Sequence, residues 1–199
     1  MFLENTINHS KQSGWMEVIC GSMFSGKTEE LIRRLRRAEM AGQNVEIFKP
    51  KLDIRYSEDD VVSHNQNKIR STAVENPNEI LLLASNCDVV GIDEAQFFDE
   101  SIVEIANQLA NSGVRVVIAG LDMDFLGRPF GPMPNLMATA EYVTKVHAIC
   151  KRTGNLANYS MRISQGNNLV ELGETESYEA VSRRVFMDEV LAKKNNIKN

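Results

Sequence analysis

Short apolar runs alternate along the chain with segments in which apolar residues recur every three or four positions. The apolar runs predict buried strands over residues 15–20, 45–49, 89–92 and 115–119. The periodic segments predict helices over residues 29–41 and 101–111, each followed by a glycine within two residues. Strands that alternate with helices in this way indicate a layered α/β fold built on a parallel sheet.

The pattern changes in two places in the second half of the chain. Residues 127–134 contain three of the five prolines and two glycines, so this segment is predicted to run irregularly over the surface. A further strand is predicted over residues 143–149, whereas residues 150–186 are polar and rich in turn signals, which places a domain boundary near Val146. We therefore expect a flexible tail (1–13), a main domain (14–145), a small C-terminal domain (146–190) and a second flexible tail (191–199).

Composition narrows the class of protein. The chain has 199 residues, of which 43% are hydrophobic and 25% charged, as in an ordinary globular protein. The formal charge of -5 provides no positive field for a nucleic-acid polymer. The longest apolar stretches, residues 80–84 and 114–120, are far shorter than the roughly 18 residues of a membrane helix. With no signal-peptide pattern and three scattered cysteines, the sequence favours a cytoplasmic protein with free thiols.

Residues 21–28 read Gly-Ser-Met-Phe-Ser-Gly-Lys-Thr and fit the phosphate-binding loop pattern G-x-x-x-x-G-K-T. The segment lies where its chemistry requires, between a predicted strand and a predicted helix. Glycines let backbone N–H groups curl around phosphate oxygens, and the helix N-terminus adds partial positive charge. Lys27 can reach the outer phosphates, and the Thr28 hydroxyl can ligate magnesium. This context favours phosphate binding over the alternative, a chance glycine-rich turn.

Two carboxylates, Asp93 and Glu94, follow the predicted strand over residues 89–92. A phosphate-loop protein needs an acidic residue at this place to hold magnesium, which makes Asp93 the candidate metal ligand. Glu94 is the candidate base, because an attacking hydroxyl needs a positioned group that takes its proton. On their own the two residues would equally well cap the next helix, and the phosphate loop is what favours the catalytic interpretation.

Aromatic side chains follow the last of the four predicted strands. Phe125 and Phe130 lie on the loop at its carboxyl end, near Leu121 and Asp122. Open α/β sheets bind ligands at this edge, and aromatic rings there can stack on a planar ligand. Core packing is the alternative for these aromatics.

Arginines occur at two further places, where the sequence gives a less specific indication of their role. Residues 33–37 contain four arginines, which we interpret as a solvated helix face with no assigned function. Arg55, which with Asp53 follows the strand over residues 45–49, either neutralises phosphate charge or forms an exposed loop salt bridge.

This ordered series of motifs resembles the type II thymidine kinases, a class shared by many bacteria, poxviruses and animal cytosol. The resemblance covers residues 14–186 and implies a P-loop parallel sheet flanked by helices, with a small C-terminal lid (lasso) domain. The motifs are the phosphate loop, Asp53-Ile54-Arg55-Tyr56, Asp93-Glu94-Ala95-Gln96-Phe97-Phe98, Gly120-Leu121-Asp122 with Phe125 and Pro129-Phe130, and Tyr178-Glu179-Ala180.

The resemblance implies ATP-dependent transfer of the γ-phosphoryl group to the 5′-hydroxyl of thymidine, with magnesium, in the salvage of DNA precursors. Deoxyuridine is the nearest rival substrate, because a pocket distinguishes one methyl group by only about 1–3 kcal/mol. A homotetramer and feedback inhibition by thymidine triphosphate are further implications, and neither a nucleic-acid polymer nor a membrane is an expected partner.

Each matching residue acquires a role from the same resemblance. Glu94 would be the catalytic base, and Thr28 and Asp93 would bind magnesium. ATP would be held by Gly21, Ser22, Met23, Phe24, Ser25, Gly26, Lys27, Thr28, Asp53, Arg55, Asp93 and Gln96. Thymidine would be contacted by Met23, Phe97, Leu121, Phe125, Phe130, Ser160, Leu169, Val170, Glu171, Leu172, Gly173 and Tyr178.

The sequence departs from the family at one place. Type II thymidine kinases commonly hold a structural zinc in the small domain through a C-x-x-C pair and a second C-x-x-C or C-x-x-H pair. Here the four positions are Cys150, Thr153, Ser182 and Val185, and only the first supplies a zinc ligand. We therefore expect no zinc, and we expect packing of residues such as Val185 and Phe186 to hold the small domain instead.

Two other functions fit a chain with a phosphate loop. A P-loop ATPase or motor would consume ATP without thymidine, and a nucleotide-binding regulator would bind ATP without forming product. The presence of both Asp93 and Glu94 disfavours the regulator. A length of 199 residues disfavours the motor, because it leaves little room for accessory domains.

Overall fold

Parallel strands form the central sheet of the computed structural model, which describes residues 14–51, 60–62, 68–163 and 177–196. The strands are β1 (Trp15–Cys20), β2 (Val45–Pro50), β3 (Asp60–Val62), β4 (Lys68–Arg70), β5 (Thr72–Val74), β6 (Val89–Ile92), β7 (Arg115–Gly120), β8 (Tyr142–Lys145), β9 (Ala148–Ile149), β10 (Leu156–Ala157), β11 (Tyr159–Arg162) and β12 (Tyr178–Val181). The helices are α1 (Lys27–Met40), α2 (Asn78–Leu83), α3 (Ser101–Asn111), α4 (Met133–Thr139) and α5 (Arg183–Asn196), with a 3-10 turn at Ala95–Phe97. Within these ranges no helix has both the length and the apolar character needed to cross a membrane.

The central sheet has the strand order β5-β2-β6-β7-β1-β8, and every neighbouring pair is parallel. One face is covered by α1 through Leu31 and Leu35, and the other by α3 through Ile102 and Ile105. Gly91 in β6 allows α1 to approach the sheet, because a Cβ at this position would lie 2.5 Å from Leu35 Cδ1. The predicted parallel α/β fold is therefore confirmed.

Two segments differ from the sequence prediction. The single strand predicted over residues 143–149 is two strands, because the chain leaves the central sheet after Val146 N donates to Cys20 O at 2.8 Å, and β9 then pairs with β10. The irregular segment predicted over residues 127–134 ends in α4. This helix starts at Met133, whose side chain is buried, and Pro134 occupies the first turn, where no backbone N–H is needed. Helices α2 and α5 were not predicted from the sequence.

Arg34 is buried, which corrects the prediction of a wholly solvated arginine face on α1. Its guanidinium lies 2.8 Å from Glu17 Oε2 on β1, and this ion pair allows the charge to leave water. Glu17, which is 2% exposed, also accepts hydrogen bonds from Arg115 Nε at 2.7 Å and Trp15 Nε1 at 2.8 Å. The other three arginines of the run are exposed as predicted.

A separate cluster of buried side chains forms the core of the small C-terminal region. Two antiparallel strand pairs, β9 with β10 and β11 with β12, pack there with α5. Phe186 stacks on Tyr159 with 4.3 Å between ring centroids, and Val185 packs against the same cluster, as the sequence predicts. Helix α5 continues to Asn196, inside the segment predicted as a tail.

Candidate active site

The loops that follow β1, β6 and β7 meet at the carboxyl edge of the central sheet, where open α/β sheets bind ligands. The loop after β1 depends on its glycines, since Gly21 and Gly26 have φ angles of 144° and 83°. A Cβ at Gly21 would also lie 2.1 Å from Val146 O. Lys27 Nζ donates to Ser22 O at 2.8 Å and closes the loop on itself. The predicted order of strand, loop and helix is present.

Lys27 is the first residue of α1 and lies among three carboxylates. Burial lowers the pKa of Lys27 below its ordinary value, and the negative charges of Glu94, Asp93 and Asp122 oppose that shift. The ammonium group stands at a helix N-terminus, where backbone N–H groups and the helix dipole favour anions. This end of the loop can therefore bind a polyphosphate.

Asp93 lies directly beside the phosphate loop. Thr28 Oγ1 donates to Asp93 Oδ2 at 3.2 Å, and the backbone N–H of Glu94 donates to Asp93 Oδ1 at 2.9 Å. Burial raises the pKa of Asp93 to about 7, and the charge of Glu94 adds to this effect. A hydroxyl and a buried carboxylate form an oxygen-only pair that fits Mg²⁺, an ion that is usually held by one or two carboxylates plus substrate phosphates. The described residues contain no group of three or more acidic, His or Cys side chains that could hold a metal.

Glu94 has an unusual backbone and a fixed side chain. Its φ of 52° is left-handed, a conformation that few residues other than glycine adopt and that often marks a functional site. Gln96 Nε2 donates to Glu94 Oε2, and Gln96 Oε1 accepts from Leu121 N at 2.9 Å. Glu94 stands at the start of the 3-10 turn without a capping hydrogen bond from its side chain. The helix-capping alternative is therefore not supported, and the carboxylate points toward Gln96 instead.

Partly exposed aromatic rings surround the same edge. Phe97 and Phe130 meet edge to face with 5.6 Å between their centroids. Phe125 lies under the guanidinium of Arg162, 3.9 Å from its ring centroid. Since none of the three rings is fully buried, simple core packing does not account for them, and they can contact a planar ligand.

The C-terminal strands contact the phosphate loop directly. The hydroxyl of Ser160 on β11 accepts a hydrogen bond from Met23 N at 2.9 Å, and Ser22 Oγ donates to Ala157 O at 3.1 Å. Tyr178 on β12 accepts from Arg162 at 2.7 Å through its hydroxyl. Residues predicted to contact thymidine therefore lie beside residues predicted to contact ATP.

The site contains interactions that were not predicted from the sequence, and some predicted residues lie outside the described ranges. The missed interactions are the Gln96 bridge, the contacts of Arg162, and an ion pair of 2.6 Å between Lys145 Nζ and Asp122 Oδ2. No signal in the sequence pairs these residues: Asp122 follows one predicted strand, and Lys145 lies within another. The predicted residues outside the described ranges are Asp53, Arg55, Leu169, Val170, Glu171, Leu172 and Gly173.

The four positions that correspond to zinc ligands in the resembled family lie close together. Cys150 is buried, and all three cysteines are free thiols, as the sequence predicts. Thr153 Oγ1 lies 3.4 Å from Ser182 Oγ, and Val185 packs on the neighbouring apolar cluster. One thiol with two hydroxyls and an alkyl group does not supply the tetrahedral set of nitrogen and sulfur donors that structural zinc requires.

We predict that purified protein contains far less than one zinc per chain and keeps its folded small region in excess chelator, because packing replaces the metal. Elemental analysis by mass spectrometry measures the zinc content, and thermal unfolding with and without chelator measures whether the small region stays folded. The matched positive control is the triple variant Thr153→Cys, Ser182→Cys, Val185→Cys, which should gain one zinc. Stoichiometric zinc in the unaltered protein would contradict the prediction.

The family model and three similar proteins that match this chain all have the same description. The family described as thymidine kinase matches residues 14–186. The thymidine kinase of Porphyromonas gingivalis strain W83 is 63% identical over 184 residues, which are 92% of this chain and 90% of that protein. The thymidine kinase of a Rhodothermus species is 59% identical over 90% of this chain and 84% of that protein. The thymidine kinase of Bacteroides thetaiotaomicron is 57% identical over 94% of both chains.

Proposed function

This chain belongs to the thymidine kinase family, and we infer from that membership that it transfers the γ-phosphoryl group of ATP to the 5′-hydroxyl of thymidine. The reaction supplies thymidine monophosphate by nucleoside salvage. The observation that carries the assignment of residues is the position of Asp93 and Glu94, at the end of β6 and beside Thr28 and Lys27 of the phosphate loop. This position brings the residues proposed to bind phosphate, to bind magnesium and to accept the proton together at one place.

We propose that residues 21–28 hold the triphosphate. Backbone N–H groups of the loop and the N-terminus of α1 contact phosphate oxygens, and Lys27 moves from Ser22 O to the outer phosphates. Thr28 and Asp93 are the residues that would hold magnesium, which offsets the charge on the transferred group when it is bound. The contact of 3.2 Å between their oxygens supports this pairing.

Glu94 is proposed as the base. Its carboxylate takes the proton of the 5′-hydroxyl while that oxygen attacks the γ-phosphorus, and the bond from the γ-phosphorus to the bridging oxygen breaks to release ADP. The hydrogen bond from Gln96 fixes the carboxylate in place. Both ends of the Gln96 amide are engaged within the protein, which favours a positioning role over the direct ATP contact predicted from the sequence.

Thymidine is proposed to bind between the aromatic rings and the C-terminal strands. Met23, Leu121 and the three phenylalanines would line the pocket, with Ser160 and Tyr178 contacting the nucleoside from the lid. Residues 169–173 and the pair Asp53 and Arg55 complete the proposed site. Closure of a lid over the nucleoside would exclude water, so that the hydroxyl of thymidine and not water accepts the phosphoryl group.

Further properties are proposed on the family resemblance. They are a cytoplasmic location, a homotetramer, feedback inhibition by thymidine triphosphate, and a division into an N-terminal tail, a P-loop domain (14–145) and a lid (146–190), whose last helix continues to Asn196. The formal charge of -5 supports the absence of a nucleic-acid polymer among the partners.

The test is ADP release from ATP and magnesium with thymidine, without nucleoside, and with 5′-deoxythymidine, which has the same base but no acceptor hydroxyl. We expect rapid release with thymidine and almost none in the other two mixtures, together with thymidine monophosphate as product. Deoxyuridine should also react, since the loss of one methyl group costs only about 1–3 kcal/mol. Release that is indifferent to nucleoside would contradict the kinase and favour the ATPase, and ATP binding without product would favour the regulator.

A further inference from the structure

Arg162 is a buried cation in the wall of the proposed nucleoside site. It lies on β11, is 6% exposed, and is held by aromatic groups from two other segments. Its guanidinium carbon lies 3.9 Å from the ring centroid of Phe125 and 5.3 Å from that of Tyr178. One terminal nitrogen also donates to Tyr178 Oη at 2.7 Å.

These contacts join two parts of the molecule. Phe125 belongs to the loop after β7 of the central sheet, whereas Tyr178 belongs to β12 of the C-terminal strands. A guanidinium stacks flat on a ring and donates along its edge at the same time, which a lysine ammonium cannot do. Arg162 therefore sets the distance and orientation between the two rings.

The hydrogen bond also fixes the polarity of the Tyr178 hydroxyl. A guanidinium has donors and no acceptor, so Tyr178 Oη accepts this bond and its own proton must point to another group. Donation from a cation makes the phenol a stronger donor, because hydrogen bonds in a chain polarise one another. A tyrosine prepared in this way suits an acceptor oxygen on a nucleoside.

We propose that Arg162 is a positioning residue for thymidine binding, which acts by holding the Phe125 ring and directing the Tyr178 hydroxyl. This inference rests on the proposed function, in which Phe125 and Tyr178 contact the nucleoside. It assigns no contact with ATP to Arg162, so its effect is specific to the nucleoside.

A second arginine of the same region provides a matched control. Arg152 pairs with Glu179 at 2.6 Å and with Glu189 at 2.9 Å on the outer side of the C-terminal strands. Both arginines connect elements of this region, but among the residues that the structure describes Arg152 contacts none of those proposed to bind substrate. Arg152→Met therefore measures what the loss of an arginine costs the region without disturbing the pocket.

The test compares Arg162→Met, Arg162→Lys and Arg152→Met. Loss of a charge-assisted hydrogen bond and a stacked cation should raise KM for thymidine about tenfold in Arg162→Met, with KM for ATP unchanged. Arg162→Lys should restore part of this loss, because a cation remains over Phe125. Arg152→Met should leave KM for thymidine and KM for ATP unchanged, even where its Tm is lower than that of the wild type. In the Tyr178→Phe background, which lacks the hydroxyl, Arg162→Met should have a much smaller effect.

Other outcomes would overturn the inference. An unchanged KM for thymidine in folded Arg162→Met, equal increases in Arg162→Met and Arg152→Met, or full additivity with Tyr178→Phe would each exclude a positioning role. If Arg162→Met does not fold, Arg162→Lys and its combination with Tyr178→Phe decide the question in the same way. Calorimetric binding of thymidine to the wild-type protein separates the two proposals, since failure of the proposed function removes this binding altogether.

Discussion

Glu94→Gln is expected to reduce kcat for thymidine phosphorylation by about 1,000-fold, because general base catalysis contributes about 10²–10⁴-fold to such reactions. Glutamine has the same shape as glutamate and can still accept the hydrogen bond from Gln96 Nε2, but it cannot take a proton. The backbone at this position, with φ of 52°, need not change. The loss should therefore be confined to the chemical step.

The measurement is steady-state ADP release with thymidine, together with calorimetric binding of thymidine and ATP. The variant should bind both substrates with little change while turnover collapses. Glu100→Gln is a matched control, since this exposed carboxylate only six residues along the chain bonds Asn135 Nδ2 at 2.9 Å and should leave kcat intact. Turnover of Glu94→Gln within a fewfold of wild type would exclude Glu94 as the base and direct attention to other carboxylates near Lys27.

The elements next to the site could be predicted from the sequence because their signals are local. β1, β6 and α3 have the predicted bounds, since each is a continuous run or a regular repeat that ends at a clear signal. Parallel strands then bring the phosphate loop and Asp93 to one edge without further information. The type of fold and the catalytic edge follow from periodicity and one motif.

Interactions between distant segments could not be predicted in this way. Arg34 belongs to a run of arginines with no local signal of burial, and its burial depends on partners from distant strands, Glu17 on β1 and Thr144 on β8. Arg162 likewise owes its role to Phe125 and Tyr178, which lie on separate segments. The strand predicted over residues 143–149 is divided because its first part pairs with β1 and its last part pairs with β10 in another sheet. The apolar pattern does not indicate that the two parts have different partners. Periodicity identifies a face but not the partner that covers it.

The network around Glu17 is expected to matter greatly for stability. Glu17→Gln should lower the free energy of unfolding by about 3 kcal/mol, since it removes the buried carboxylate that Arg34 and Arg115 share, while Glu30 remains 2.8 Å from Arg34 Nε. For a chain of this length the corresponding fall in Tm is about 6–12 °C. The sole tryptophan, Trp15, bonds Glu17 Oε1 at 2.8 Å, so its fluorescence reports unfolding at this network.

The pH dependence of this effect distinguishes charge from packing. Burial raises the pKa of Glu17, but the hydrogen bond and charge of Arg115, with help from Trp15 and Arg34, outweigh it and hold the pKa below the ordinary value of 4.5. A lowered pKa means that the stabilisation is complete above the unfolded value and is lost as pH falls through the folded one. The Tm difference between wild type and Glu17→Gln should therefore stay constant above pH 4.5 and shrink below it. Glu75→Gln, which alters an exposed pair with Lys51, should show a much smaller difference at every pH. A Glu17→Gln deficit that persists unchanged in acid would mean that side-chain packing, and not the carboxylate charge, stabilises this part of the sheet.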